Sequence, residues 1–298
     1  MKRFIPIPAS LAFLLFCNAA VAAESDWSKV DQVLGRKGAT PTGEIHRYGF
    51  PRSDLNVTVD GVTIKPAFAL GGWAAFETMP SGGAMLMGDL VLLDTEINPV
   101  MKKLLDDGLE VSAIHNHLLR TSVPVLYMHV GGHGDPVKLA ESLRAAIALS
   151  KTPLTQVPPP ATPPAVDLDT SMLEKSLGAK GTANGGIYQF GIPRAEAIME
   201  GGMPVPPAMG TGTAINLQPT GAGKAAITGD FVLIASEVNP VMKALRQNGI
   251  EVTALHSHMV DETPRLYFMH FWANDDAQRL AHGLRAALDL MNLKRVTQ

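Results

Sequence analysis

The sequence predicts an α+β fold: a tandem duplication in which each repeat is an antiparallel sheet with helices packed on one side. Two observations carry this. Gly88–His117 aligns with Gly229–His258 without a gap, at a constant offset of 141, and 17 of those 30 positions are identical, so one unit is written twice. Within each copy, short apolar runs bounded by Gly, Pro and Asn read as strands, and stretches with apolar residues at helical spacing read as helices.

The N-terminus precedes the fold. Lys2 and Arg3 are basic, Leu11–Phe16 is apolar, and Ala20-Val21-Ala22 and Val21-Ala22-Ala23 are small-residue cleavage patterns. These predict a signal peptide over 1–23, cut after Ala22 or Ala23, and export to a bacterial-type periplasm or beyond. The apolar run is short for a membrane span. The sole cysteine, Cys17, lies in this segment behind bulky Phe16, which argues against lipoprotein anchoring. Without the leader no cysteine remains, excluding disulfides, thiolate zinc sites and cysteine nucleophiles.

Repeat 1 covers 24–150. Trp27, Val30, Val33 and Leu34 recur at helical spacing, and Gly35 and Gly38 end that helix. Tyr48-Gly49-Phe50-Pro51-Arg52 follows, then a hairpin with Val57, Val59, Val62 and Ile64 alternating about Asp60-Gly61. Strands are expected at Ala67–Phe76 and Ala84–Leu93. A helix over Pro99–Asp106 starts with Asn98 as N-cap and Pro99 in the first turn, and stops at Gly108. Two His-bearing strands precede a closing helix, Pro136–Leu149. The Pro-rich linker 151–165 reads as a semi-rigid polyproline II spacer.

Repeat 2 covers 166–298 and repeats the plan: helix Met172–Leu177, Phe190-Gly191-Ile192-Pro193-Arg194, strands Gly212–Leu217 and Ala225–Ala235, helices Pro240–Gln247 and Asp276–Leu290. Its hairpin signal is missing, with Glu200-Gly201-Gly202 and Pro204, Pro206 and Pro207 in that region.

Composition narrows the functional classes. With 46% hydrophobic and 18% charged residues the chain is globular rather than disordered. The formal net charge is −3, and losing Lys2 and Arg3 makes it more negative, so there is no basic footprint for nucleic acid. No membrane-length apolar run follows the leader. Gly-x-Ser-x-Gly, phosphate-loop and dinucleotide motifs are absent from the sequence.

Six of the nine histidines fall in EVSAIHNHLLRTSVPVLYMH (Glu110–His129) and EVTALHSHMVDETPRLYFMH (Glu251–His270). Residues i and i+2 of a strand share a face, so His115 and His117 project together, as do His256 and His258. Turns centred on Val123 and Pro264 would set His129 opposite His117 and His270 opposite His258. Each repeat would then gather three imidazoles, a donor set suited to Zn, Cu, Ni or Fe. The bland alternative is a buried polar network tying hairpin to sheet. Glu96 and Glu237, between a strand and a helix start, are the candidate acid–base residues or further ligands; their alternative role is to stabilise a helix N-terminus. Asp89 and Asp230 can orient a His or serve a turn. Arg52 and Arg194 suit an anionic ligand or a salt bridge.

GDLVLLDTEINPVMKKLLDDGLEVSAIHNH, PRLYFMHFW and the closing LRAAL helices resemble the LppY/LpqO-like family of bacterial exported proteins, a family named as a domain of unknown function. The resemblance spans nearly all of the chain past the leader, as two domains, and implies export. Repeat 2 is closer to its pattern: repeat 1 has Ser122-Val123-Pro124-Val125 for Thr263-Pro264-Arg265-Leu266, and Val130-Gly131 for Phe271-Trp272. The His pair followed by a second His strand and a helix is also distantly similar to pterin carbinolamine dehydratases. Three functional classes follow: an exported protein binding a transition metal or small-molecule ligand at the His clusters, a non-catalytic envelope interaction module, or a metal-free lyase using His as acid and base.

Overall fold

The computed structural model describes residues 27–41, 45–156 and 161–294. The expected signal peptide, with Cys17, and positions 157–160 of the linker lie outside the described residues. Repeat 1 contains α1 (Trp27–Leu34), β1 (Ile45–Pro51), β2 (Thr58–Val59), β3 (Val62–Thr63), α2 (Pro66–Ala69), β4 (Gly71–Thr78), β5 (Ala84–Leu93), α3 (Asp94–Asp106), β6 (Glu110–His115), β7 (Val125–Gly134) and α4 (Pro136–Ile147). Repeat 2 contains α5 (Thr170–Leu177), β8 (Gly181–Asn184), β9 (Ile187–Ile192), β10 (Met199–Glu200), β11 (Met203–Pro204), β12 (Thr213–Gly221), β13 (Lys224–Leu233), α6 (Ala235–Gln247), β14 (Glu251–His256), β15 (Tyr267–Asp276) and α7 (Ala277–Leu288).

Both main sheets are antiparallel throughout, in the orders β1-β4-β5-β7-β6 and β14-β15-β13-β12-β9-β8. Strand alternation decides how they stack. Leu86, Leu90 and Leu92 of β5 enter the core beneath the helices of repeat 1, and Ile227, Phe231 and Leu233 of β13 do the same in repeat 2. The opposite faces carry Met85 and Val91, or Ala226 and Val232, and these enter two cores built from both repeats. A strand covered on both sides reads as a nearly continuous apolar run, as these two do. The layers are therefore helices, sheet, sheet, helices, with the two sheets face to face.

Four local expectations are corrected. Helices α3 and α6 start at Asp94 and Ala235, upstream of Pro99 and Pro240, because Glu96 and Glu237 fold back onto the backbone N–H of Leu93 (2.8 Å) and Ile234 (3.0 Å) and complete the first turn there. Pro66–Ala69 is a helical turn rather than the start of a strand, with Pro66 at the position a proline suits best. Repeat 2 does keep a small hairpin, β10–β11, turned by Gly201 and Gly202 at φ 57° and 82°. Repeat 2 also adds an edge strand, β8, that the sequence reading lacked.

Candidate metal centre

The inward faces bring the duplicated histidines together. The expected register is corrected: β6–β7 pairs Ala113 with His129 and His115 with Tyr127, and β14–β15 pairs Ala254 with His270 and His256 with Phe268. His117 and His258 lie just beyond their strands. The pairing differs from expectation by four residues, and an even shift leaves side chains on the same face. All six rings therefore point between the sheets.

Two separate sites were expected, one per repeat; the structure merges them into one cluster. His115 stacks on His256 with ring centroids 3.5 Å apart, at the pseudo-twofold between the repeats. His117 stacks on His270 at 3.8 Å, and His258 on His129 at 3.6 Å. These two contacts are each other's counterparts at the 141-residue offset. Tyr127 backs His117 at 3.4 Å and Phe268 backs His258 at 3.3 Å. Across the repeats, Thr253 Oγ1 donates to the His117 carbonyl (2.5 Å), and Ser112 Oγ donates to that of His258.

The acidic partners are Asp89 and Asp230, from the middle of β5 and β13. Asp89 oxygens lie 3.6 Å from His117 Nε2 and 3.8 Å from His129 Nε2; Asp230 oxygens lie 3.4 Å from His258 Nε2 and 3.9 Å from His270 Nε2. Nearly all of these separations exceed a good hydrogen bond, yet they suit groups arranged around a common ion. His270 Nδ1 donates to the Gly229 carbonyl at 2.8 Å, which leaves Nε2 as its lone-pair nitrogen facing the cluster. Gly229 must stay small, since a Cβ there would meet the Ala214 oxygen at 2.0 Å.

Two donor groups result: His115, His256, His258 and His270, and Asp89, His115 and His129, with the ligand atoms of each group within 4.8 Å of one another. Among the described residues, six buried side-chain N or O atoms lack a hydrogen-bond partner, and five are here: Asp89 Oδ1, Asp230 Oδ1, His115 Nδ1, His129 Nε2 and His258 Nε2. Burial pushes His256 down to about 4 and His270 down to about 3, and holds His115, His117, His129 and His258 well below the ordinary imidazole range. The same burial pushes Asp89 up to about 8, against the pull of Arg47, and Asp230 well above the usual carboxylate range. Neutral imidazoles could hold a metal ion, and His256 Nε2 and His270 Nε2 lie 2.8 Å apart, sharing one proton between them; neutral acids beside them are costly to ionise without a cation.

Glu96 and Glu237 are occupied elsewhere, which corrects their assignment as acid–base residues. Glu96 takes two bonds from Arg52 (2.7 and 3.3 Å) and one each from the backbone N–H of Leu93 and Lys151. Glu237 does the same with Arg194 (2.6 and 3.0 Å), Ile234 and Asn292. Each carboxylate thus joins a helix start, the loop after β1 or β9, and the chain leaving the closing helix. Arg52 and Arg194 also bind Asp54 and Glu196, so they form buried ion pairs rather than surface ones or an anion site.

A cavity of about 850 Å³ opens onto one side of the cluster, reaching Asp89, His117, Asp230, His258 and His270. On the other side a crevice of about 40 Å³, flanked by Met85, Met87, Met209 and Met259, leaves room for little more than water. His133 lines that crevice, His46 stacks on Trp27, and His282 is exposed, so none joins the six. No described helix is long and apolar enough to cross a membrane.

One family model matches the chain twice, over residues 28–149 and 171–290, with the description Domain of Unknown Function (DUF1259). No curated protein matches it. Two solved structures have weak likeness. The trimeric bacterial microcompartment shell protein PduB shares 13% identity over 85% of this chain and 89% of its own, with a TM-score of 0.21. EtuB from Clostridium kluyveri shares 9% over 85% and 91%, with a TM-score of 0.20. At such scores neither likeness bears on fold or function.

Proposed function

The chain belongs to the family described as Domain of Unknown Function (DUF1259), carried twice in tandem, and we propose that the two copies together hold one transition-metal ion between their sheets. The supporting observation is the convergence of buried, unpartnered imidazole and carboxylate atoms from both repeats. His115, His256, His258 and His270 are the principal ligands, with Asp89, Asp230 and His129 beside them. An all-imidazole set with adjacent carboxylates suits Zn, Cu, Ni or Fe. Bound there, the ion supplies a Lewis acid at the floor of the cavity, open to a small molecule from one side. The metal-free lyase reading has less support, because burial disfavours the imidazolium that an acid catalyst needs.

Metal content after tag-free purification from the native compartment tests this. The expected ratio is one ion per chain, lost both in His256→Ala and in His115→Ala, which lie in different repeats. Two ions per chain, or half the metal retained in each variant, would replace the shared centre with one site per repeat. No metal at all would sink the proposal.

We also infer export, supported by the leader-like residues 1–23 and by the LppY/LpqO-like pattern of the repeats. Expressed at full length in a bacterium, the chain is expected in the periplasmic fraction, beginning after Ala22 or Ala23. Recovery from the cytoplasm with an intact N-terminus would contradict it.

A further inference from the structure

The floor of the large cavity is symmetric, and its walls are not. From β1, Arg47 points into the cavity with its guanidinium 3.8 Å over the ring of Trp73, on neighbouring β4. Aligning Tyr48-Gly49-Phe50-Pro51-Arg52 with Phe190-Gly191-Ile192-Pro193-Arg194 puts Gln189 at the matching place in repeat 2. Trp73 pairs with Asp89 as Ala214 pairs with Asp230, so the counterpart of the indole is a methyl group. At these matched positions one wall carries a guanidinium and an indole, the other an amide and a methyl group.

Arg47 is under-used for its setting. It is half-buried, donates Nη1 to the Ala208 carbonyl at 2.6 Å, and has no carboxylate within 4.0 Å among the described residues. Lys180, the other basic side chain on the cavity wall, is engaged with Glu174 at 2.8 Å. A guanidinium has five donors in a planar fork, and stacking on an indole fixes that plane. The geometry of a fork held over the cavity matches an oxyanion, which it can bind through two parallel hydrogen bonds. The volume of about 850 Å³ is that of a pocket for a small organic molecule, far more than an ion requires. Asn216 and Thr228 add polar groups from the opposite wall, while Phe68 and Pro207 offer apolar surface.

We propose that the cavity takes a small organic molecule bearing an oxyanion, carboxylate or phosphate, gripped by the Arg47 fork with its other end toward the imidazole–carboxylate floor. The orientation toward the floor rests on the metal reading above; capture by Arg47 does not. Benzoate and phenyl phosphate are the probes, titrated calorimetrically into metal-free and cobalt-loaded chain, for wild type, Arg47→Lys and Arg47→Gln. The expected result is that one probe binds wild type at one per chain, at least tenfold more weakly to Arg47→Gln, with Arg47→Lys between. Which probe binds separates carboxylate from phosphate. In the cobalt-loaded wild type the same titration should shift the visible bands of the ion. Failure of both probes to bind wild type, or equal binding by all three proteins, overturns the proposal. Should Arg47→Gln fold poorly, Arg47→Lys carries the comparison, since it keeps the charge and loses the fork. If cobalt is not retained but Arg47-dependent binding persists, the metal reading fails and the oxyanion pocket stands; cobalt retained without Arg47-dependent binding gives the reverse.

Discussion

Replacing Arg194 with methionine should lower the free energy of unfolding by about 3–5 kcal/mol, the range for leaving one partner of a buried ion pair alone. The side chains of Arg194 and Glu237 are 1% and 8% exposed, so the glutamate left behind cannot be solvated by water in place. Arg194 also donates to the Val232 carbonyl at 2.6 Å, a bond methionine cannot replace. Adding Glu237→Gln to Arg194→Met should recover part of the loss. The amide removes the stranded charge, and its single oxygen keeps one of the two backbone bonds that Ile234 and Asn292 make to different carboxylate oxygens. Urea denaturation of the wild type and both variants reads this directly. A cost below about 1 kcal/mol for the single change, the size typical of an exposed pair, would show the hub to be dispensable.

The metal-free chain should be most stable near neutral pH and lose stability on both sides, steeply in acid. The six imidazoles are held below their ordinary value of 6.5, so the unfolded chain binds more protons than the folded one once pH falls under 6.5. The loss continues until the native values are reached, about 4 for His256 and about 3 for His270. Each pH unit costs about 1.4 kcal/mol per histidine, so several act together. Asp89 and Asp230 work the other way. Raised above 3.8, they contribute stability that is full below that value and is lost as pH rises, through about 8 for Asp89. A bound cation favours the ionised carboxylates, so metal loading should flatten the alkaline limb and leave the acid one. Unfolding free energies across pH 4–9, with and without zinc, check this; a metal-free profile that is flat in acid would rule out a neutral, buried histidine cluster.

The sequence showed the repeat, most of the helices and strands along each copy and the facing of the histidines, because all three follow from local period and from the exact offset between copies. Strand register was less accessible. His129 pairs with Ala113 rather than His117, since the turn and the departure of His117 from its strand depend on packing against the other repeat. Glu96 was misread for a related reason: its partner Arg52 lies in another element, and nothing local joins the two. Asp89 and Asp230 were underweighted, although a signal was present. Each is the one acidic residue within the inward-facing core of a nearly continuous apolar strand, where a carboxylate must find a partner. That the two clusters are one could not be seen from either copy, because sheet-to-sheet docking is a property of both.

The shared cluster has a consequence for descent. A chain with a single repeat holds only half of the donor set, so an unfused ancestor could close it only by pairing with an identical chain, His115 against its own twin. Joining the halves into one polypeptide released them from identity. Arg47 and Trp73 on one side, with Gln189 and Ala214 on the other, are what two equal subunits could not display across their axis at the same time.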